Sequence, residues 1–462
     1  MMGVAMPAEK ARRRAHRPGR RPGPGGRRGV RVGVIGWGTI GSGVIRFLRQ
    51  SNARLAGRLG APIELARVAD LDLKRKREVR VPQSLLTKDA REILDDPSID
   101  IVVELMGGLE PARTFVLEAI ANGKAVVTAN KALLAHHGPE LFAAAEKTGT
   151  GFGFEASVGG GIPIIRTLRE GLSPDEHTAV FGIVNGTANF ILSTMASEGT
   201  GFAEVLAAAQ ESGLAEADPT YDIDGIDSAH KLALLVQLAF GVQMPLSAVH
   251  TEGIRDLDAV DIAYARELGY VIKLLAVAKR HGDEIEARVH PTMIAADDSL
   301  GIVDGAYNAV CVHSRALDKT MYYGQGAGMM PTAAAVIADV LDVARDRIGL
   351  GGPRLPPLGY PVADQGTVKI RPIGSVESEF YLRIMVRDDS GVLGKVAAHL
   401  GRSGISIASV VQRERRRRGV VPIVIRTHST REKDLRRALT RVEALDSVKG
   451  RPVAIRIEER PG

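Results

Sequence analysis

The apolar run Val30-Arg31-Val32-Gly33-Val34-Ile35 leads straight into Gly36-Trp37-Gly38-Thr39-Ile40-Gly41, so a strand-like segment opens into G-x-G-x-x-G. Nothing else in the chain limits its fold as tightly. Gly36 permits a tight turn, Gly38 lets the backbone approach a pyrophosphate, and Gly41 lets the next helix pack closely on the strand. The first N–H groups of that helix would face phosphate oxygens. The motif is common by itself and gains force from its surroundings. Runs 63–69, 99–105, 125–129 and 151–156 (IELARVA, IDIVVEL, AVVTA, GFGFEA) read as further strands. Helical stretches fall between them near Ile40–Arg49, Lys88–Leu94, Arg113–Ala121 and Pro139–Lys147. Strand and helix in alternation predict a parallel sheet with helices on both faces, here over residues 30–160.

The chain is α/β, and at 462 residues it is too long for one core, so two or three domains are expected. After the Rossmann-type first domain, residues 161–325 mix helical stretches (Ile164–Glu170, Thr187–Ser197) with strand-like runs such as EIEARVHPTMI and NAVCVHS, an α+β pattern with its own core. A Gly-rich turn at 324–328 then opens an Ala-rich helix, expected over 326–346. Residues 347–375 are rich in Gly and Pro and read as a linker. From 376 the order is strand, helix, strand, strand, helix, strand, the ferredoxin-like βαββαβ plan of a small third domain.

The formal charge of +7 might suggest a nucleic-acid partner, but it is concentrated in one place. Residues 1–29 hold nine basic residues against the single acid Glu9, more than the whole excess. That segment has four prolines and no periodic apolar residues, so it reads as a disordered solvated tail, or as upstream sequence translated from a misplaced start. With no Ser or Thr and no apolar stretch, it resembles neither a transit peptide nor a secretory signal. One cysteine, Cys311, excludes an internal disulfide and a Cys-based zinc site and suits a reducing, cytoplasmic setting. No apolar run approaches the ~20 residues of a membrane span.

The densest chemistry lies between Ala209 and Lys231, AQESGLAEADPTYDIDGIDSAHK, ahead of the apolar LALLVQLAF. Asp227 and Lys231 stand four apart and would share a helix face. Glu216, Asp218 and Asp222 precede them in a turn-rich segment broken by Pro219 and Gly225. The spacing A-x-x-x-G followed by D-P-x-x-D-I-x-G-x-D-x-x-x-K resembles the signature of the homoserine dehydrogenases, with every position filled. The last domain resembles the ACT domain, an amino-acid-sensing module, at Asp388–Lys395 and Gly404–Ile407. Two rivals stand beside this: another ACT-tailed NAD-dependent hydroxyacid dehydrogenase, and a non-enzymatic amino-acid sensor.

The resemblance implies NAD(P)-dependent interconversion of L-homoserine and L-aspartate 4-semialdehyde, towards threonine, methionine and isoleucine, by a homodimer or homotetramer assembled through residues 161–325. It implies Lys231 as the proton-transfer group, Asp227 as its orienting partner and a substrate ligand, and Lys131 (in Thr128-Ala129-Asn130-Lys131) between cofactor and substrate. Glu216 would hold the substrate ammonium, with Asp222 beside it. Cofactor contacts would come from Gly36, Gly38, Thr39, Ile40, Gly41, Asp70, Lys131 and Gly326. The hinge Glu155–Ile162 would bind a monovalent cation such as Na+ through the Glu155 side chain and the carbonyls of Val158, Gly160 and Ile162. Asn185-Gly186-Thr187-Ala188-Asn189-Phe190 resembles the family's N-G-T-T-N-F, with Ala188 for one threonine, and would support the site from behind. Asp70 suits the ribose hydroxyls of NAD, while Lys74, Arg75, Lys76 and Arg77 could clamp the phosphate of NADP; the choice stays open, tipped towards NAD by Asp70. Two neighbouring ammonium groups, Lys131 and Lys231, are expected to depress each other's pKa. An effector, L-threonine by resemblance, would sit near Asp389, Ser390, Gly391 and Val392.

Overall fold

The computed structural model describes residues 29–349, 351–412 and 419–461. The basic tail, apart from Gly29, and the basic turn at 413–418 lie outside them.

The first domain is built on a six-stranded parallel sheet in the order Leu86–Thr87, Ile63–Ala69, Val30–Ile35, Ile101–Glu104, Ala125–Thr128, Phe152–Gly153. Its central strands are buried on both faces, as a sheet flanked by helices requires. Helix Met329–Gly349 returns from far along the chain to cover this sheet beside helix Thr39–Gln50. The two helices meet where Gly43 lacks a side chain: a Cβ there would stand 2.7 Å from that of Ala333.

Some boundaries differ from expectation, for physical reasons. The helix expected from Pro139 begins at Lys131 and runs to Thr148, with Pro139 inside it. Its true cap is Asn130, whose side chain accepts from the Leu133 N–H at 3.1 Å. The fifth expected strand keeps only Phe152–Gly153, and Glu155–Ser157 turns as a short 3-10 helix. The helix expected over Lys88–Leu94 forms only over Arg91–Leu94.

The second domain is an antiparallel sheet of His177–Ile183, Tyr270–His281, Glu284–Ala295, Tyr307–Ser314 and Asp318–Gln325. Helix Ile226–Phe240 packs on it, buried along nearly its whole length. The run AYARELGYVIKLLAVAKR divides at Gly269 into helix Ala259–Glu267 and strand Tyr270–His281.

The third domain has the expected βαββαβ order, with strands Glu377–Arg387, Ile407–Val411, Val420–Thr427 and Val453–Glu458 and helices Val392–Arg402 and Glu432–Glu443. Its core gathers Phe380, Leu382, Ile384, Val396, Ile423 and Leu435. This domain does not hang free. The final strand Val453–Glu458 pairs in parallel with Glu284–Ala295, Thr292 opposite Arg456, so the two sheets run on as one. The Gly/Pro-rich connector is also held, with Lys369–Ile370 pairing with Glu284–Ile285.

Candidate active site

The site forms where the first two domains meet, each supplying one end of it. Strand Ala125–Thr128 delivers Lys131 as the first residue of its helix. Helix Ile226–Phe240 delivers Asp227 in its first turn and Lys231 one turn on. Gly225 caps that helix at φ +79°, a conformation glycine adopts without strain, and a Cβ there would press on Thr251 and Val289.

Asp227 is the hub. One carboxylate oxygen meets the Lys131 ammonium at 2.9 Å and the other meets that of Lys231 at 2.6 Å. Lys231 also donates to the Val184 carbonyl at 2.6 Å. The Asn185 amide donates to the Asp227 carboxylate at 2.9 Å and to Asp222 at 2.7 Å, and its own oxygen caps helix Gly186–Glu198. Asp227 and Lys231 are buried, so theirs is no solvated i,i+4 pair.

The two lysines respond oppositely, which corrects the expected mutual depression. Burial pulls Lys231 down, and the Lys131 charge adds to this against the opposing pull of Asp227. Lys131 remains partly open, with 39% of its side chain exposed. Burial lowers it too, but Asp227, then Asp222 and Glu216, outweigh that, and its pKa rises. Burial would raise Asp227, yet the two ammonium groups hold it well below the usual carboxylate range. Two cations share one carboxylate, and the deeper cation is the one that loses its proton more readily.

Of the expected substrate ligands, Asp222 and Asp227 are joined through Asn185, while Glu216 lies on an exposed loop within electrostatic reach of Lys131. One residue that supports the site carried no motif. Glu104 is buried at the end of its strand; it accepts from Thr128 Oγ1 at 2.6 Å and from the Met106 N–H at 2.8 Å. Thr128 Oγ1 accepts in turn from the Asn130 N–H, so Glu104 fixes the turn that carries Lys131. An acid closing an all-apolar strand was the only available signal.

At the cofactor end, Gly36 has φ +102°, and a Cβ there would meet the Leu105 carbonyl group at 2.6 Å. A Cβ on Gly41 would strike the Gly36 carbonyl. Beyond Gly38 the space is open, leaving backbone, Thr39 and Ile40 at the helix start accessible to a phosphate. Asp70 accepts from the Trp37 N–H at 2.6 Å and pairs with Arg77 at 3.1 Å. Arg77 lies 4.3 Å above the Trp37 ring and donates to the Trp37 carbonyl at 2.6 Å. Gly326 faces Gly160 across the hinge, too close for a Cβ on Gly160.

In the hinge, both Glu155 oxygens accept backbone N–H groups, from Ile165 at 2.8 Å and Arg166 at 2.9 Å. The Glu155 N–H donates to buried Asp339 at 2.7 Å. Burial and then the Glu155 charge push Asp339 up to about 7, and burial raises Glu155. Arg166 reaches Asp339 at 3.5 Å and partly offsets this charge. No group of three or more His, Cys, Asp or Glu side chains among the described residues could hold a metal, so backbone carbonyls would have to complete the shell. The Ile162 carbonyl already accepts from the Ile164 N–H at 2.8 Å.

Known proteins resemble this chain over nearly its whole length. Residues 36–155 match the homoserine dehydrogenase NAD-binding domain, 163–341 the homoserine dehydrogenase family, and 380–447 the ACT domain. Homoserine dehydrogenases of Neisseria gonorrhoeae and Pseudomonas aeruginosa are each 45% identical over 93% of this chain and 98% and 99% of theirs. The crystal structure of a homoserine dehydrogenase from Thiobacillus denitrificans superposes with a TM-score of 0.88 at 45% identity, covering 94% of this chain and 99% of that one. A hyperthermophilic archaeal homoserine dehydrogenase in complex with NADPH is similar at a TM-score of 0.58 and 25% identity, over 71% of this chain and 99% of that one. No helix among the described residues is long and apolar enough to cross a membrane. With its NAD-binding, catalytic and ACT domains in that order, the chain belongs to the homoserine dehydrogenase family of oxidoreductases.

Proposed function

We propose that the site oxidises L-homoserine to L-aspartate 4-semialdehyde, and reverses that reaction, with Lys231 as the proton-transfer group. The observation that carries this is the Lys131–Asp227–Lys231 bridge across the domain junction, which leaves one buried amine with a lowered pKa. A bound nicotinamide cofactor supplies the hydride acceptor. Neutral Lys231 takes the hydroxyl proton of homoserine as the carbon–oxygen double bond forms; in reduction its ammonium returns that proton to the oxygen. Asp227 orients Lys231, and the Lys131 charge keeps it from being protonated too firmly. Glu216 and Asp222 hold the substrate ammonium.

The preferred cofactor on this reading is NADP. Arg77 neutralises Asp70, the carboxylate that would otherwise repel a 2′-phosphate, and Arg75, Lys76 and Arg77 border a recess of about 140 Å³ with Gly38, Thr39 and Ser42. The archaeal relative's NADPH complex supports the same choice. Arg77→Ala should raise KM for NADP about tenfold more than KM for NAD, a loss on the order of 1.4 kcal/mol; equal changes for both would return the preference to NAD.

A monovalent cation at Glu155, with the carbonyls of Val158, Gly160 and Ile162, would relieve the buried charge shared with Asp339. A homodimer or homotetramer assembled through the second domain, a cytoplasmic setting consistent with the free buried thiol of Cys311, and an amino-acid effector acting through the ACT domain complete the proposal. Initial rates with L-homoserine and each oxidised cofactor, beside 3-phosphoglycerate as a rival substrate, test the activity. Turnover of 3-phosphoglycerate alone would overturn it.

A further inference from the structure

Glu104 closes strand Ile101–Glu104 fully buried, and its partners carry no charge. Oε1 accepts from the Met106 N–H at 2.8 Å and from the Gly107 N–H at 3.3 Å. Oε2 accepts from Thr128 Oγ1 at 2.6 Å. Burial raises its pKa, and the groups that oppose the rise most strongly are these donors and the Asn130 side chain, none of them a cation. Asp227, by contrast, lies between two ammonium groups. A carboxylate buried without a cation is costly, and a positive charge arriving beside it would lower that cost.

The surrounding loops show where such a charge would arrive. Glu104 stands at the carboxyl edge of the parallel sheet, beside the switch in strand order between Val30–Ile35 and Ile101–Glu104. The segment 105–108 that follows packs on the glycine turn: a Cβ on Gly36 would stand 2.6 Å from the Leu105 carbonyl and 2.8 Å from the Met106 nitrogen. At its far end the Gly108 carbonyl accepts from the Asn130 side chain at 2.7 Å, one residue before Lys131. A cofactor that runs from the phosphate turn to the lysines therefore crosses this segment. Gly107 and Gly108, at φ +74° and +73°, leave it bare, and a Cβ on Gly107 would meet nothing within 4 Å.

At that crossing the lysines work against an oxidised cofactor. Lys131 and Lys231 bring two amines to the single carboxylate of Asp227. A nicotinamide ring is positively charged when oxidised and neutral when reduced, so nearby ammonium groups disfavour the oxidised form. A charge buried away from water is screened weakly, so that of Glu104 acts across the loop.

We infer that Glu104 tunes the cofactor: its buried negative charge lies behind the nicotinamide site and favours the oxidised ring over the reduced one. The inference rests on the reading that this site is a nicotinamide-dependent dehydrogenase. It goes beyond that reading by giving a residue outside the glycine and lysine motifs control over which redox form is held.

The test is calorimetric titration of the full-length protein with NADP+ and, separately, with NADPH, which needs no turnover. Glu104→Gln keeps the shape, because its oxygen can accept from Met106 and Gly107 while its amide donates to Thr128 Oγ1. The ratio of Kd for NADP+ to Kd for NADPH should rise by about fivefold or more. NAD+ and NADH should show the same change in ratio, since the charge acts on the ring and not on the 2′-phosphate. Thr128→Val strips one donor from the carboxylate and should move the ratio the same way by a smaller factor. Asp70→Asn, at the adenosine end, should change the affinities of both redox forms alike. Equal changes for both forms in Glu104→Gln, or in Thr128→Val where the glutamine variant does not fold, overturn the inference. Glu104 is then only an anchor for the Lys131 turn, and the dehydrogenase reading stands. Failure of the wild type to bind any of the four nucleotides overturns both.

Discussion

Two buried ionic clusters do different work in this molecule, and charge balance tells them apart. At the domain junction, two lysines share one carboxylate, with Asp222 joined to it through Asn185. At the ACT boundary, Arg456 and Arg436 face Glu252 and Glu432, while Arg288 and Lys279 face Glu286 and Glu458, four cations against four carboxylates. In the second cluster the shifts of Glu252, Glu458, Arg456 and Arg288 all strengthen the ionic form. Burial pushes Glu252 up, but hydrogen bonds from Arg456 and His250 hold it far below the carboxylate range; burial lowers Arg456, but Glu252 and Glu432 push it back above its ordinary value. In the first cluster one member moves towards its neutral form. A balanced cluster ties domains together, and an unbalanced one keeps a proton within reach.

The largest effect should come from removing the labile amine. Lys231→Ala should lower kcat by about 10³-fold, within the range for a lost general acid or base, and leave cofactor affinity within about threefold. Steady-state kinetics with cofactor titration by fluorescence checks both. If kcat is retained, the contrast between the clusters has no catalytic meaning.

The balanced cluster should fail as structure instead. Arg456→Met leaves buried Glu432 and half-buried Glu252 without their main partner and should cost about 3 kcal/mol in denaturant unfolding, the low end for a broken buried pair because Glu252 is partly solvated. It should also be pH-linked. Because Glu252 is depressed in the folded state, its contribution is complete above the unfolded carboxylate value, ~4.3, and is lost as pH falls below that towards the folded value. Wild-type stability should therefore drop on acidification through this window more steeply than that of Glu252→Gln.

Much of this was legible in the sequence. The signature from Ala209 to Lys231 brought out Asp227 and Lys231, the glycine turn placed the cofactor cleft, and the βαββαβ order of the third domain could be read from alternation and glycine stops. The rest depended on long-range geometry. Glu252 and Arg456 are 204 positions apart, and no local pattern announces that the last strand will pair in parallel with Glu284–Ala295. Pro139 looked like a helix start because proline favours the first turn, yet Asn130 held the stronger capping chemistry. The opposite shifts of Lys131 and Lys231 follow from unequal burial, which spacing does not encode.

The asymmetry of the lysines predicts a pH signature. The kcat/KM for homoserine oxidation should rise with pH to a plateau, with an inflection below the ordinary lysine value of ~10.4. Lys131→Met removes a charge that depresses Lys231 and frees Asp227 to favour its ammonium, so the inflection should move up. Asp227→Asn removes the group that raises Lys231, so it should move down. Shifts of the same sign in the two variants would refute the shared-carboxylate arrangement.

The smallest effect tests how the unbalanced cluster is held together. Asn185 serves two ends: its oxygen caps a helix through the Ala188 N–H at 2.8 Å, and its amide bridges Asp222 and Asp227. Serine retains a capping oxygen but has no amide to span two carboxylates. Asn185→Ser should therefore change unfolding free energy by less than about 1 kcal/mol while raising the homoserine KM a few-fold, because Asp222 loses the donor that fixes it beside Asp227. A large stability loss with KM unchanged would make Asn185 a helix cap alone and leave the two acids to be positioned by the Thr220–Ile223 turn.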